Sequence, residues 1–229
     1  MFLAIGHQGA KGYYRGNTVR TILCAKTLNA DMIEIDVQLT KDNIFVLYHD
    51  NTLIPYGKKR EKELCDIEYY DLKMEGLCLL GNGLDYILCG DGSIPYLDLK
   101  IPDSKMEDKK FIKKYGDKLW EFLKEYDDII FMASFCRDLI DYLIKKPNSD
   151  RFLYGYLYET DEEVETINKK VSACIFDYRS KNFRENMDKV KNCDIFCYTV
   201  NDEKEMRKLK KMGIKGIVSD YPDKVVSIK

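Results

Sequence analysis

The sequence predicts an α/β protein, specifically a (β/α)8 TIM barrel with an inserted segment after the second strand and its hairpin arm. Two observations carry this prediction. Short β-rich runs alternate with amphipathic helical stretches along the chain, and eight such runs remain when one hairpin arm is set aside. This alternation is typical of a parallel sheet with right-handed crossovers, and eight such strands close a barrel. An open doubly wound sheet is the alternative, but the chain has no GxGxxG turn that would favour it.

The β-rich runs contain branched and aromatic side chains between turn residues. They are Phe2–Ile5, Met32–Asp36, Tyr96–Lys100, Ile129–Ala133, Phe152–Tyr156, Cys174–Asp177, Ile195–Val200 and Gly216–Ser219. The helical stretches have one charged and one apolar face: Thr18–Leu28, Lys109–Tyr126, Asp138–Lys145, Asp161–Lys169, Asn182–Val190 and Asp202–Met212. For the last of these, Asn201 and Asp202 are candidate N-caps, and Gly213 follows a basic last turn.

A ninth run, Ile44–Tyr48, predicts a hairpin arm rather than a barrel strand. It follows the second strand too closely for a parallel crossover, which needs about a dozen residues. The intervening TKDN sequence is typical of a turn. A two-residue loop at Lys41–Asp42 would place Glu34 opposite His49, so we expect both residues at the same end of the barrel wall.

The length of the chain fits one large domain or two small ones, and single barrels of this length are common. With 229 residues, 45% hydrophobic and 33% charged, the chain can bury a single large core. We predict a single domain over residues 1–229, in which residues 51–95 form an inserted excursion without clear alternation. The 37 basic and 39 acidic side chains leave a formal charge of −2. This balance gives no general electrostatic reason to expect nucleic acid or an anionic membrane as a partner.

The cysteine pattern and the hydropathy predict a cytoplasmic location. None of the eight cysteines belongs to a CxxC pair, and several lie inside apolar runs. The apolar start, Met1–Ile5, is too short for a secretion signal, and no apolar run approaches the roughly 18 residues of a spanning helix. We therefore expect neither a disulfide scaffold nor a transmembrane segment. The oligomeric state stays open.

Ionisable residues cluster at the predicted carboxyl ends of the strands. They are His7, Glu34, Asp36, His49, Asp50, Asp98, Lys100, Ser134 (a polar neighbour), Glu159 and Asp220. Active sites of such barrels lie at this face, so we expect these side chains to converge on one rim. Both histidines of the chain belong to the set. Ser134 lacks a G-x-S-x-G turn, and we interpret it as part of the wall rather than as a nucleophile.

Glu34 and Asp36 leave the same face of one strand, because they are two positions apart. Carboxylates this close repel each other unless a positive charge lies between them. Short carboxylates offer hard oxygen ligands, which suit Mg²⁺ or Ca²⁺ better than zinc. We expect one divalent cation, Mg²⁺ or Ca²⁺, held by Glu34, Asp36 and Asp98, with the imidazoles left free as acid and base.

These motifs, in order, resemble the glycerophosphodiester phosphodiesterase family. GHQGAKGYYRGNT and NADMIEIDVQLTKDNIFVLYHDNTL resemble its HRG–EN motif, E-x-D strand, K-D-G turn and closing HD. YLDLK, FMASF and CYTVNDEKEMRKLKKMGIKGIVSDYPD resemble its E-x-K strand, its Ser-Phe strand and its W-T-V-N…G-x-D-G-I-x-T-D-x-P ending. The resemblance runs from about Ile5 to Pro222. The family fold is a (β/α)8 barrel with a segment inserted after the HD motif.

The resemblance also implies roles for individual residues. His7 and His49 match the acid–base pair, and Glu34 and Asp36 match two ligands of the divalent cation. Asp98 stands where the family usually has a third ligand, a glutamate. Lys100 matches the lysine that faces the substrate phosphate. The implied reaction is metal-dependent hydrolysis of a small-molecule glycerophosphodiester to glycerol 3-phosphate and an alcohol.

Three positions depart from the family pattern. Gln8 replaces the arginine of HRG, Gly16 replaces the glutamate before Asn17, and Tyr198 stands where the family has tryptophan. A neutral amide is a poorer phosphate ligand than a guanidinium. We still expect Gln8 and Tyr198, with Lys100, to bind the substrate. Two alternatives stay open: a phospholipase D-like enzyme that forms a cyclic phosphate from lysolipids or sphingolipids, and a barrel that binds phosphodiesters without cleaving them.

Overall fold

The structure is a computed structural model that describes residues 2–90, 92–160, 162–164 and 166–229. In chain order its strands are β1 (Leu3–Gly6), β2 (Met32–Leu39), β3 (Phe45–Leu47), β4 (Thr52–Leu53), β5 (Lys62–Glu63), β6 (Cys78–Leu79), β7 (Ile94–Leu99), β8 (Phe131–Ser134), β9 (Leu153–Tyr158), β10 (Val171–Asp177), β11 (Asp194–Tyr198) and β12 (Gly216–Ser219). Its α-helices are α1 (Val19–Thr27), α2 (Tyr69–Leu72), α3 (Leu80–Leu88), α4 (Lys109–Leu123), α5 (Arg137–Ile144), α6 (Phe183–Lys189), α7 (Glu203–Lys211) and α8 (Pro222–Val226). Short 3₁₀ helices cover Leu64–Asp66, Lys73–Glu75, Asp103–Lys105 and Ser149–Arg151.

Eight parallel strands close into a barrel. Their order is β1-β12-β11-β10-β9-β8-β7-β2, and β2 pairs back with β1. Each neighbouring pair in this ring is parallel. The predicted (β/α)8 barrel is confirmed, and each of the eight predicted runs corresponds to one barrel strand. The single-domain organisation remains a prediction.

The helices follow the amphipathic pattern of the sequence. Helices α1, α4, α5, α6 and α7 begin and end within about three residues of the predicted stretches. Asp202 caps α7, since its Oδ1 accepts hydrogen bonds from the N–H groups of Lys204 and Glu205 at 2.9 and 3.0 Å. Of the predicted helix at residues 161–169, positions 161 and 165 lie outside the described residues, and no helix covers the described ones.

The hairpin arm β3 pairs antiparallel with β2, as predicted, but with a different loop. Leu39 faces Phe45, so the loop has three residues, Lys41–Asn43, rather than two. Asn43 adopts a left-handed backbone with φ of +66°, a conformation that asparagine tolerates and that three-residue hairpin loops use. The predicted register is therefore wrong by one residue.

The barrel interior is acidic at the mouth, where the strands have their carboxyl ends, and apolar toward the other end. Its apolar layers contain Ile5, Met32, Tyr96, Phe131, Ala133, Leu157, Ala173, Ile175, Phe196 and Val218. Side chains alternate along a strand, so the inward positions of β2 after Met32 are Glu34 and Asp36. The inward position of β7 after Tyr96 is Asp98. The carboxyl ends of β2 and β7 thus carry three carboxylates into the mouth.

The predicted excursion has two structural parts. Its first part contains the β4–β5 ribbon and α2, and it packs through a small apolar cluster: Val46, Leu64, Ile67, Leu72 and Leu77. Its second part is α3, which packs against α1 and β7. Gly83 also lets α3 approach β3 closely, because an added Cβ would lie 2.9 Å from Leu47 Cδ1.

Two expectations about the whole chain concern thiols and membranes. All eight cysteines fall within the described residues and are free thiols. Among those residues, none of the helices combines the length and the apolar character needed to cross a bilayer.

Candidate active site

Three carboxylates meet at the mouth of the barrel. Asp36 on β2 is the parallel partner of Asp98 on β7, and Glu34 precedes Asp36 on the same face. One oxygen from each of the three lies within 4.8 Å of the others. Glu34, Asp36 and Asp98 are only 3%, 1% and 7% exposed. The predicted convergence of these residues is therefore present, away from bulk water.

One lysine lies within this acidic cluster. Lys100 Nζ is 3.0 Å from Asp36 Oδ1 and also donates to Asp98 Oδ2. Burial, followed by the charges of Asp36 and Asp98, raises the pKa of Glu34 well above its ordinary value. Burial also raises the pKa of Asp98, against the opposing effect of Lys100. For Asp36, burial is outweighed mainly by Lys100, and its pKa is lowered. The single ammonium group of Lys100 thus does not balance the charge of three carboxylates.

The cluster fits a divalent cation. Asp98 Oδ1 is buried and has no hydrogen-bond partner among the described residues. Such an orphaned carboxylate oxygen is costly unless a ligand occupies it. Two other oxygens of the cluster are oriented by neutral donors: Asn17 Nδ2 donates to Asp36 Oδ2 at 2.7 Å, and the Gln8 N–H donates to Glu34 Oε2 at 2.6 Å. Buried, oriented carboxylates are the donors that Mg²⁺ and Ca²⁺ prefer.

His7 is held by a chain of hydrogen bonds from the last barrel strand. Its Nδ1 is 2.6 Å from Asp220 Oδ1, and Asn201 Nδ2 donates to Asp220 Oδ2 at 2.6 Å. The Asp220 N–H in turn donates to Asn201 Oδ1 at 2.9 Å. With Nδ1 bound to a carboxylate, Nε2 is the ring nitrogen of His7 that remains for another partner. Asn201 was predicted only as a helix cap, and its contact with Asp220 was missed.

His49, which follows β3, is more open than His7. Its Nδ1 is 2.8 Å from Asp50 Oδ1, and its side chain is 53% exposed, against 17% for His7. Both histidines line a cavity of about 200 Å³ at the barrel mouth. The other walls of this mouth cavity are Glu34, Asp36, Tyr96, Asp98, Lys100, Phe135, Leu157, Arg179, Tyr198, Thr199 and Val218. Eight residues were predicted to have a catalytic, metal-binding or substrate-binding role, and all of them except Gln8 line this one cavity.

Gln8, the eighth, lines the adjoining cavity of about 410 Å³, which also includes His49. Gln8 is buried and adopts a left-handed backbone with φ of +47°. Its side chain occupies the space above Gly16, where an added Cβ would lie 2.2 Å from Gln8 Oε1. The two departures from the family motif are thus in direct contact. Gln8 Nε2 has no partner among the described residues.

Arg179 also lines the mouth cavity and was not predicted. It follows β10, and its Nε and Nη2 donate to Asp177 Oδ1 and Oδ2 at 2.9 and 3.1 Å. This two-point contact orients the guanidinium. A detectable signal existed, because Arg179 comes just after the carboxyl end of a predicted strand, the position at which barrels carry functional groups.

Tyr198, predicted to bind the substrate, and Ser134, from the predicted rim, both have structural contacts. The Tyr198 hydroxyl donates to the Tyr158 carbonyl at 2.7 Å. Its ring packs edge-on against Phe135, with the two ring centroids 6.2 Å apart. Ser134 Oγ donates to the Leu99 carbonyl at 2.6 Å. The hydroxyl of Ser134 is thereby engaged in joining β8 to the end of β7, which agrees with its interpretation as part of the wall.

Comparison with known proteins gives the family. A model of the glycerophosphoryl diester phosphodiesterase family matches residues 7–224. The chain belongs to this family. It is 26% identical over 253 residues to the glycerophosphodiester phosphodiesterase of Bacillus subtilis, which covers 99% of this chain and 86% of that protein. It is also 26% identical over 245 residues to the Caldanaerobacter subterraneus glycerophosphodiester phosphodiesterase, covering 99% and 97%. The prediction that the chain is an enzyme of this family is therefore confirmed.

Solved structures support the fold of this family member. The glycerophosphodiester phosphodiesterase of Thermotoga maritima superimposes with a TM-score of 0.78 at 22% identity, covering 100% of this chain and 99% of that one. A phosphodiesterase of Oleispira antarctica, solved in complex with the product sn-glycerol-3-phosphate, gives 0.77 at 20% identity, covering 98% and 95%. At these identities the likeness establishes the shared barrel.

Proposed function

We propose that this family member hydrolyses glycerophosphodiesters to glycerol 3-phosphate and an alcohol in a cation-dependent reaction. The observation that carries the proposal is the mouth cavity, in which two histidines face three buried carboxylates. The Oleispira antarctica relative, whose structure holds sn-glycerol-3-phosphate as product, supports the choice of product. The cytoplasmic location predicted from the sequence belongs to the same proposal.

Glu34, Asp36 and Asp98 would hold the cation. Their oxygens are close together and shielded from water, and Asp98 Oδ1 is free to accept a ligand. Bound there, Mg²⁺ or Ca²⁺ would supply Lewis-acid stabilisation of the negative charge on the phosphate. Lys100 keeps the adjacent Asp36 ionised through its 3.0 Å contact, which favours a ligand-competent carboxylate.

His7 and His49 would move the protons. One imidazole takes a proton from the attacking water, and the other gives a proton to the oxygen of the leaving alcohol. Imidazole suits both steps because its ordinary pKa of about 6.5 is near neutral pH. Asp220 and Asp50 each bind the Nδ1 atom, so proton transfer is expected at Nε2 of either ring.

Basic and polar side chains around the cavity would bind the phosphate. Lys100 and Arg179 place two cations on its walls, and Tyr198 closes one side. Gln8 can donate only a neutral hydrogen bond from the adjoining cavity. We therefore assign the larger share of phosphate binding to Lys100 and Arg179.

The test is release of glycerol 3-phosphate from glycerophosphocholine, measured with added Mg²⁺ or Ca²⁺ and with excess EDTA. We expect activity that EDTA removes, and a loss of at least about a hundredfold in His7→Ala and in His49→Ala. Full activity in EDTA, or an unaffected His49→Ala enzyme, would refute the scheme. Phosphorus NMR of the first product distinguishes hydrolysis from formation of a cyclic phosphate.

A further inference from the structure

The first part of the inserted segment exposes large apolar side chains. Among the described residues, five large hydrophobic side chains are more than half exposed, and four belong to this segment. They are Ile54 (55%), Tyr56 (72%), Tyr70 (75%) and Met74 (73%). The Tyr56 N–H donates to Glu75 Oε1 at 2.7 Å, so the loop that carries Ile54 and Tyr56 lies against the segment that carries Met74. Tyr70 precedes Met74 by four positions on the helical stretch formed by α2 and the 3₁₀ turn Lys73–Glu75, so these two side chains are neighbours. We call the four apolar side chains, together with residues 58–60, the insert tip.

The same loop carries a concentrated positive charge. Lys58, Lys59 and Arg60 are consecutive and exposed, and none forms an ion pair with a described residue. Residues 51–60 contain these three basic side chains and no acidic one. The adjacent carboxylates of Glu61 and Glu75 accept hydrogen bonds from Thr52 Oγ1 and the Tyr56 N–H, respectively. The loop at residues 51–60 therefore combines three positive charges with the exposed side chains of Ile54 and Tyr56.

The insert tip lies beside the mouth of the barrel. Ile54 follows His49 by five positions along the chain. Gly76 and Leu77, directly after Met74 and Glu75, line the same 410 Å³ cavity as His49. A flat surface in contact with the insert tip would therefore approach the edge of the active site.

We infer that the insert tip docks the protein onto an anionic lipid bilayer. Adjacent lysine and arginine side chains are attracted to acidic headgroups, with about a fivefold gain in affinity for each residue near the surface. Tyrosine and aliphatic side chains beside them enter the boundary between headgroups and acyl chains, which is the composition of interfacial membrane anchors. A soluble polyanion such as RNA would use the three basic residues and leave four exposed apolar side chains without a role.

Vesicle co-sedimentation of the full-length protein tests this inference. We expect binding to vesicles of 70% phosphatidylcholine and 30% phosphatidylserine, and little binding to pure phosphatidylcholine. The variant K58E/K59E/R60E should lose at least about a hundredfold in affinity. The matched control is K204E/K211E/K215E, which makes the same charge change at exposed lysines of the α7 region and should bind as wild type. Equal binding to both vesicle types, or equal loss in the control, would overturn the inference.

A second variant separates a bilayer from a soluble polyanion. I54S/Y56S/M74S should bind phosphatidylserine vesicles at least about tenfold more weakly, while its retention on heparin stays that of wild type. If I54S/Y56S/M74S binds these vesicles as wild type does, the apolar side chains do not enter the bilayer, the attraction is one to polyanions in general, and docking by the insert tip is wrong. All substitutions are at exposed positions, and circular dichroism verifies that the variants fold. Docking does not use the catalytic groups, so vesicle binding of His7→Ala should equal that of wild type whatever the outcome of the activity test.

Discussion

Gln8 and Gly16 fit together as a pair: the Gln8 side chain fills the space that any side chain at position 16 would need. A Cβ at Gly16 would lie 2.2 Å from Gln8 Oε1 and 2.8 Å from Gln8 Cβ. The second contact involves an atom bonded to the backbone, so a side-chain rotation of Gln8 cannot relieve it. With the backbone of this chain, Gln8 therefore leaves no room for a side chain at position 16.

Gly16→Ala should lower the free energy of unfolding by about 1–3 kcal/mol, the usual cost of overpacking. The double variant Q8G/G16A should recover most of this loss, since glycine removes the Cβ and suits the left-handed backbone at position 8. Denaturant titration measures both. Gly81→Ala is the control, because its new Cβ would meet nothing closer than 3.7 Å. Additive losses in the double variant would contradict the pairing.

Asp220→Asn should reduce kcat by about 10²–10⁴-fold with little change in KM. The carboxylate that binds Nδ1 of His7 at 2.6 Å selects the imidazole tautomer, and an amide can impose the wrong one. Steady-state kinetics on glycerophosphocholine measure the effect. Asp223→Asn, which alters a carboxylate bonded to Tyr13 on the outer surface, is the control. A kcat for Asp220→Asn equal to that of wild type would show that His7 needs no such partner.

Glu34→Gln should stabilise the cation-free protein by roughly 1 kcal/mol or more, because it removes one of three mutually repelling buried carboxylates. The same variant should lose the rise in Tm that Mg²⁺ or Ca²⁺ gives wild type by binding only the folded state. Differential scanning calorimetry with and without cation measures both effects. Glu63→Gln changes the other described group of close potential ligands, Glu63, Cys65 and Asp66, and should keep the wild-type Tm rise. A preserved rise in Glu34→Gln would locate the cation elsewhere.

Arg179→Ala should lower kcat/KM by about 10–100-fold, the range expected for a lost charge-assisted hydrogen bond to phosphate. Arg179→Lys should recover only part of this, since an ammonium cannot reproduce the two-point contact with Asp177. Arg184→Ala, at an exposed position of α6, is the control. Adding Gln8→Arg should raise the kcat/KM of the Arg179→Ala enzyme by a larger factor than it raises the kcat/KM of wild type. Equal gains in both backgrounds would argue against a shared role in phosphate binding.

The barrel and its acidic mouth could be predicted because both follow from local patterns. Strand–helix alternation identified the eight strands, and the two-residue spacing of Glu34 and Asp36 placed both side chains on one face. Parallel pairing then requires the residues at the carboxyl strand ends to meet, and this brought Asp98 and Lys100 to the same place.

The remaining features depend on backbone detail or on contacts distant in sequence. The hairpin loop was wrong by one residue because Asn43 accepts a left-handed conformation that TKDN does not reveal. The contact of Asn201 with Asp220 was missed because a cap and a hydrogen-bond donor have the same sequence signature before a helix. Gln8 and Gly16 could be recognised as departures from a motif, but their contact depends on the positive φ of Gln8.

The pairing of β1 with β12 has a consequence for biosynthesis. Asp220, which binds Nδ1 of His7, leaves the ribosome 213 residues after it. A nascent chain can therefore hold all three carboxylates and both imidazoles and still lack the carboxylate that binds His7. That contact forms only after β12 has emerged and has inserted between β1 and β11.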